Sequence, residues 1–144
     1  EGKYATYHLV DEDLLFSLER SPFLINASRG EVVDTASLLA ALAAGKVKGA
    51  VIDTWEYEPN ISRELLEVAL LGTPHIAGYS ADGKANATRM SLEALCQFFG
   101  IQVEFSIFPP EGSNVYDPTR DSEWLKAAPK KFEWFRGNYP IRRE

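Results

Sequence analysis

Residues 23–53 read FLINASRGEVVDTASLLAALAAGKVKGAVID, and this stretch decides the fold. Phe23-Leu24-Ile25-Asn26-Ala27 is a short run of β-formers, with Pro22 tolerable where a strand begins. Ser28-Arg29-Gly30 reads as a turn. Asp34 or Thr35 caps a helix whose Leu38, Leu39 and Leu42 share one face, and Gly45 stands where a left-handed helix cap favours glycine. Gly49-Ala50-Val51-Ile52-Asp53 is the next strand. Two continuously apolar strands joined by a helical crossover form a βαβ unit, as expected of a parallel sheet with helices on both faces. The fold class is therefore α/β, with part of a doubly wound sheet.

Upstream, Asp11 caps a helix that closes near Leu18, with Glu12 and Asp13 adding negative charge at its positive end. Downstream, Pro74-His75-Ile76-Ala77 is expected as a third short strand, and a long helix runs from about Ala81 to Phe99, stopped by Gly100. Met90, Leu95, Phe98 and Phe99 are among its apolar positions. After Gln102 the composition shifts. Val103 to Phe108 alternates like a half-buried strand, Pro109 to Asn114 is a loop, and Trp124 to Trp134 suggests helical pieces broken at Pro129. The expected division is 1–80, 81–102 and 103–144, the last too short for a core of its own and so packed on the first part or on a second subunit.

Fifteen basic against 21 acidic residues give a net charge of −6, which leaves no basic stripe for nucleic acid, and no apolar run reaches the roughly 18 residues of a membrane span. The single cysteine, Cys96, lies on an apolar helical stretch and reads as a small hydrophobe, in keeping with a reducing, cytoplasmic setting. His8 and His75 are the only histidines, and with no Cys/His cluster in the sequence no metal site is expected. The chain opens Glu1-Gly2-Lys3, without an initiator Met or signal pattern, and is expected to be a piece of a longer protein.

Ligands on parallel sheets gather at the carboxyl ends of the strands, and four ionisable residues fall there: Arg29, Asp53, Glu58 and His75. A guanidinium grips a carboxylate through two parallel hydrogen bonds, and an imidazole exchanges protons near neutral pH. A carboxylate beside that imidazole fixes its tautomer, giving an acid–base pair suited to an alcohol or carbonyl carbon. Two nucleotide signals fail. Gly78 to Ala85 resembles a P-loop but has Ala85 where a hydroxyl must bind magnesium, and no two glycines are separated by one residue as the G-x-G-x-x-G fingerprint requires.

Three motifs in order, Leu24 to Asp34, Asp53-Thr54-Trp55-Glu56-Tyr57-Glu58-Pro59 and Thr73-Pro74-His75-Ile76-Ala77-Gly78, resemble the D-isomer-specific 2-hydroxyacid dehydrogenases. Within that family, residues 75–84, 116–121 and 138–144 resemble the branch acting on a 4-phosphorylated, four-carbon 2-hydroxy acid in the making of pyridoxal phosphate. The resemblance implies a partial Rossmann-like sheet, a C-terminal dimerisation segment, a homodimer and NAD as cofactor. It also implies that Arg29 binds the substrate carboxylate, His75 takes the hydroxyl proton and Glu58 holds His75. Asp53 would meet the nicotinamide carboxamide, the backbone around Ala27 and Gly78 would line the nicotinamide pocket, and Tyr79 would touch substrate. The substrate domain and glycine-rich loop of that family lie outside the chain, so the isolated chain is expected to be inactive. The alternatives are another 2-hydroxyacid dehydrogenase, of phosphoglycerate or glycerate type, and a noncatalytic interaction fragment using Trp124, Phe132, Trp134 and Phe135.

Overall fold

The computed structural model describes residues 2, 5–112 and 117–143. Ser113 and Asn114 of the expected loop, and Tyr116 and Glu144 of the tail motifs, lie outside the described residues. The chain divides into two compact units, 1–76 with 117–138 and 77–116 with 139–144.

The first unit is built on a parallel sheet of β1 (Phe23–Asn26), β2 (Gly49–Ile52) and β3 (Leu71–Gly72), in that order. Phe23 pairs with Gly49 and Asn26 with Ile52, so β1 and β2 end level with each other. Helix α1 (Glu12–Ser17) begins where Asp11 accepts a hydrogen bond from the Leu14 amide, and it packs on α2 (Thr35–Ala43), the crossover between β1 and β2. Asp34 is the residue that caps α2, accepting from the Ser37 amide at 3.1 Å. The sequence reading did not foresee α3 (Arg63–Val68), which links β2 to β3 and is capped by Ser62.

Two strands differ from expectation. The third strand lies at Leu71–Gly72 and not at Pro74–Ala77. Thr73 extends the pairing by one bond to the Ile52 carbonyl, but Pro74 has no N–H to donate and His75 adopts φ +56°, outside the strand region. Residues 103–108 keep the period-two pattern in their burial, with Phe105 and Ile107 half-buried, yet no ladder partner forms among the described residues.

The helical tail begins earlier than the aromatic run suggests. Helix α5 (Pro118–Ala127) starts with Pro118 in its first turn and Asp117 as its cap, a 3₁₀ turn follows at Pro129–Lys131, and α6 is Phe132–Gly137. The Gly72 amide donates to Ser122 Oγ at 3.1 Å, and Leu125 and Phe132 are fully buried in the core that holds Leu38, Ile52, Trp55 and Leu66. Burial of each such side chain contributes about 1.5–3 kcal/mol. Of the tail aromatics, Phe132 is core, while Trp124 and Trp134 are exposed.

The second unit is dominated by α4 (Ala81–Phe99), capped by Ser80 and ended by Gly100 at φ +64°, which a side chain would strain. The terminal segment clips to its first turn: the Ala81 amide donates to the Arg142 carbonyl, and Arg143 forks onto Asp82 at 2.8 and 2.9 Å. Met90, Leu95, Phe98 and Phe99 are exposed, and no helix among the described residues is long and apolar enough to cross a membrane.

In the first unit, Gly30 is the tightest approach of two loops. A Cβ there would lie 2.0 Å from the Trp55 carbonyl oxygen and 2.5 Å from the Glu56 nitrogen, both backbone atoms that cannot rotate away. Gly30→Ala should cost about 3 kcal/mol or more, read as a lowered urea midpoint. A midpoint within error of wild type would contradict this packing.

Candidate active site

The carboxyl ends of the parallel strands set the site. At the end of β1, Asn26 is buried, and its amide group ties the loops together: Nδ2 donates to the Arg29 and Thr54 carbonyls at 3.1 and 3.2 Å. Its Oδ1 accepts from the Ser28 amide and hydroxyl at 3.2 and 3.0 Å. This clamp was not foreseen, although an Asn closing an otherwise apolar strand is the available signal. Ala27 and Arg29 are exposed just beyond it, with Arg29 Nη1 donating to the Ser28 carbonyl at 2.6 Å.

Asp53 follows β2 and is 6% exposed. Its Oδ1 accepts from the Thr73 hydroxyl at 2.6 Å and the Ile76 amide at 2.8 Å, while its carbonyl accepts from the His75 amide at 2.9 Å. Asp53 thus shapes the turn that carries His75. Trp55 is buried and donates its indole N–H to the Thr73 carbonyl, fastening the 55–58 loop to the same turn.

Glu58 and His75 are brought together. Glu58 Oε1 accepts from the Trp55 amide, and Oε2 lies 2.8 Å from His75 Nδ1. Both side chains are partly shielded, at 18% and 24% exposure, so water screens the pair less than it would a surface pair. A carboxylate at Nδ1 favours the tautomer with the proton there, which makes Nε2 the ring atom able to take a proton. Arg29, Asp53, Glu58 and His75 all belong to the first unit, whereas Gly78 and Tyr79 belong to the second. There Tyr79 lines a cavity of about 280 Å³ with Lys84, Thr88, Phe108, Tyr139 and Ile141, and Lys84 Nζ sits 4.0 Å from the Tyr79 ring centroid.

A second histidine cluster was missed by the sequence reading. His8 Nε2 lies 2.6 Å from Glu56 Oε1, and His8 Nδ1 lies 4.0 Å from Asp34. The three side chains have ligand atoms within 4.8 Å of one another. Glu56 Oε2 accepts from the Thr35 amide and Asp34 Oδ2 from the Ser37 amide, so the triad sets the imidazole between two carboxylates that also serve the first turn of α2. Burial works against ionisation of Glu56, but hydrogen bonds from His8 and Thr35 together with the His8 charge outweigh it and hold the carboxyl below its ordinary range. The Ser37 hydroxyl bond, against a smaller desolvation penalty, lowers Asp34 likewise.

Residues 2–77 match the family model described as D-isomer specific 2-hydroxyacid dehydrogenase, NAD binding domain. The chain belongs to this family. It is 55% identical over its whole length to an erythronate-4-phosphate dehydrogenase of Bacteroides fragilis and 42% identical to one of Porphyromonas gingivalis, covering 45% of each. The chain thus spans less than half the length of the curated relatives it matches. Among solved structures, the holo form of Rhodotorula graminis D-mandelate dehydrogenase aligns over 76% of this chain and 34% of its own, with TM-score 0.59 and 28% identity. The NAD-complexed D-isomer specific 2-hydroxyacid dehydrogenase of Lactobacillus delbrueckii ssp. bulgaricus aligns over 69% of this chain and 35% of its own, with TM-score 0.53 and 28% identity.

Asp34 and Glu56 have folded-state pKa values below their ordinary 3.8 and 4.5, so their stabilisation is complete above that range and is lost as pH falls through the lowered values. Urea midpoints of the chain should fall as pH drops below about 4.5, and the fall should be shallower in Glu56→Gln and Asp34→Asn. An unchanged acid slope in both variants would remove the triad as its source.

Proposed function

We propose that the chain supplies the acid–base and nicotinamide-facing parts of an NAD-dependent dehydrogenase that oxidises 4-phospho-D-erythronate to 2-oxo-3-hydroxy-4-phosphobutanoate. The reading rests chiefly on the 2.8 Å contact between Glu58 and His75 at the carboxyl ends of parallel strands, where Arg29 follows the end of β1 as an exposed residue. The 55% identity to an erythronate-4-phosphate dehydrogenase supports this substrate, and with it a step toward pyridoxal phosphate. On this reading the protein works as a cytoplasmic homodimer.

The residues present suit one end of a dinucleotide. The exposed backbone at Ala27 would line the nicotinamide, and the Asp53 carboxylate would accept from its carboxamide. When bound, NAD supplies the acceptor for the hydrogen and electron pair leaving C2 of the substrate. Arg29 holds the substrate carboxylate through its planar fork and polarises the oxygen on C2. His75 Nε2 takes the hydroxyl proton as the C2–O bond becomes a carbonyl, and Glu58 stabilises the resulting imidazolium through Nδ1.

In the full-length protein, His75→Ala should lower kcat by about 10²–10⁴-fold with little change in NAD affinity, because the base acts on the substrate. Turnover equal to wild type would exclude His75 as the base. Arg29→Lys should lower kcat/KM by about 10²-fold, since an ammonium cannot form two parallel hydrogen bonds to a carboxylate. Near-normal kcat/KM would contradict the role given to Arg29.

A further inference from the structure

Glu56 stands two residues before Glu58 and is 4% exposed, yet it is a carboxylate in a loop whose neighbour Trp55 already fills the core position. A buried carboxylate is costly unless paired and hydrogen-bonded, and Glu56 has both of its oxygens engaged. Oε1 is 2.6 Å from His8 Nε2, and Oε2 accepts from the Thr35 amide at the first turn of α2 at 3.0 Å. The imidazole is fixed in turn, since its ring stacks on Tyr7 and the His8 amide donates to the Glu31 carbonyl.

The loop so anchored is strained and short. Tyr57 adopts φ +64°, the left-handed region, and Glu58 folds back so that Oε1 accepts from the Trp55 amide while Oε2 reaches His75. Movement of residues 55–57 would therefore carry the Glu58 carboxylate away from Nδ1. Gly30 restrains one side of this loop through its contact with the Trp55 carbonyl, and the His8–Glu56 bond restrains it from the N-terminal segment.

We propose that His8 and Glu56 are positioning residues for the Glu58–His75 pair: their side-chain hydrogen bond holds the 55–58 loop in the conformation that presents Glu58 to Nδ1. The inference rests on the acid–base reading of that pair. Neither His8 nor Glu56 touches substrate. They act through the loop, and their loss loosens the tautomer and orientation of His75 while leaving substrate contacts in place.

Because the chain has only two histidines, a sample labelled with ¹⁵N at histidine gives two imidazole systems, and His8→Ala assigns them and leaves His75 alone. In wild type, neutral His75 should show the Nδ1–H tautomer. In Glu56→Ala and His8→Ala it should shift toward the Nε2–H form, and Glu56→Gln, which keeps an acceptor for the Thr35 amide, should restore much of the wild-type signal. An unchanged His75 tautomer in a folded variant overturns the proposal. If Glu56→Ala fails to fold, His8→Ala, which keeps the loop sequence intact, is read in the same way; failure of both to fold makes the pair a folding element and also overturns it.

In the full-length protein the same variants should lose about tenfold or more in kcat with KM changed less than about twofold, since small misplacements of a catalytic pair cost up to about 10²-fold. Normal kcat in these variants, with His75→Ala inactive, rejects the positioning role alone. Full activity of His75→Ala rejects the acid–base reading beneath it.

Discussion

One oxygen of Asp53, buried at the end of β2, accepts from both the Thr73 hydroxyl and the Ile76 amide, and the rest of the site hangs on those two hydrogen bonds. The chain leaves the ladder after Thr73, passes through Pro74, and places His75 in a left-handed conformation with its amide on the Asp53 carbonyl. A left-handed histidine is uncommon and persists only where its surroundings hold it. Here three bonds from one residue do so, and the imidazole is delivered to Glu58.

The other half of the pair is held with equal economy of parts. Trp55 anchors the loop through its buried ring and its indole bond to the Thr73 carbonyl, so the loop bearing Glu58 and the turn bearing His75 are fastened to each other. Asn26 performs the matching task between the ends of β1 and β2. The side chains of the candidate site sit on loops, but each loop is tied by a buried polar side chain whose bonding groups are paired. Such satisfied networks are costly to disturb, because removing one partner leaves another group buried and unpaired.

Much of this was legible in the sequence because it is local. The apolar runs at 23–27 and 49–53, the cap at Asp11 and the stop at Gly100 each depend on a few adjacent residues, and the structure reproduces them. The strand at Leu71–Gly72 was misplaced because Pro74 to Ala77 has the apolar pattern, while the deciding bonds come from Asp53, far away in sequence. The 103–108 stretch shows the reverse: alternation sets which side chains turn inward, but a strand needs a partner. Glu58 and His75 could be paired by chemistry and by their places at strand ends. The His8–Glu56 bond spans 48 residues between two positions with no shared pattern, and only the folded chain brings them together.

The central claim is that the Glu58–His75 pair moves the proton in a 2-hydroxyacid oxidation whose substrate carries a phosphate. The most direct measurement mixes the full-length protein with NADH and 2-oxo-3-hydroxy-4-phosphobutanoate, the thermodynamically easier direction, and follows nicotinamide absorbance. The account predicts steady loss of NADH, with protonated His75 returning the proton to the alcohol oxygen. No loss of NADH with this substrate would contradict it.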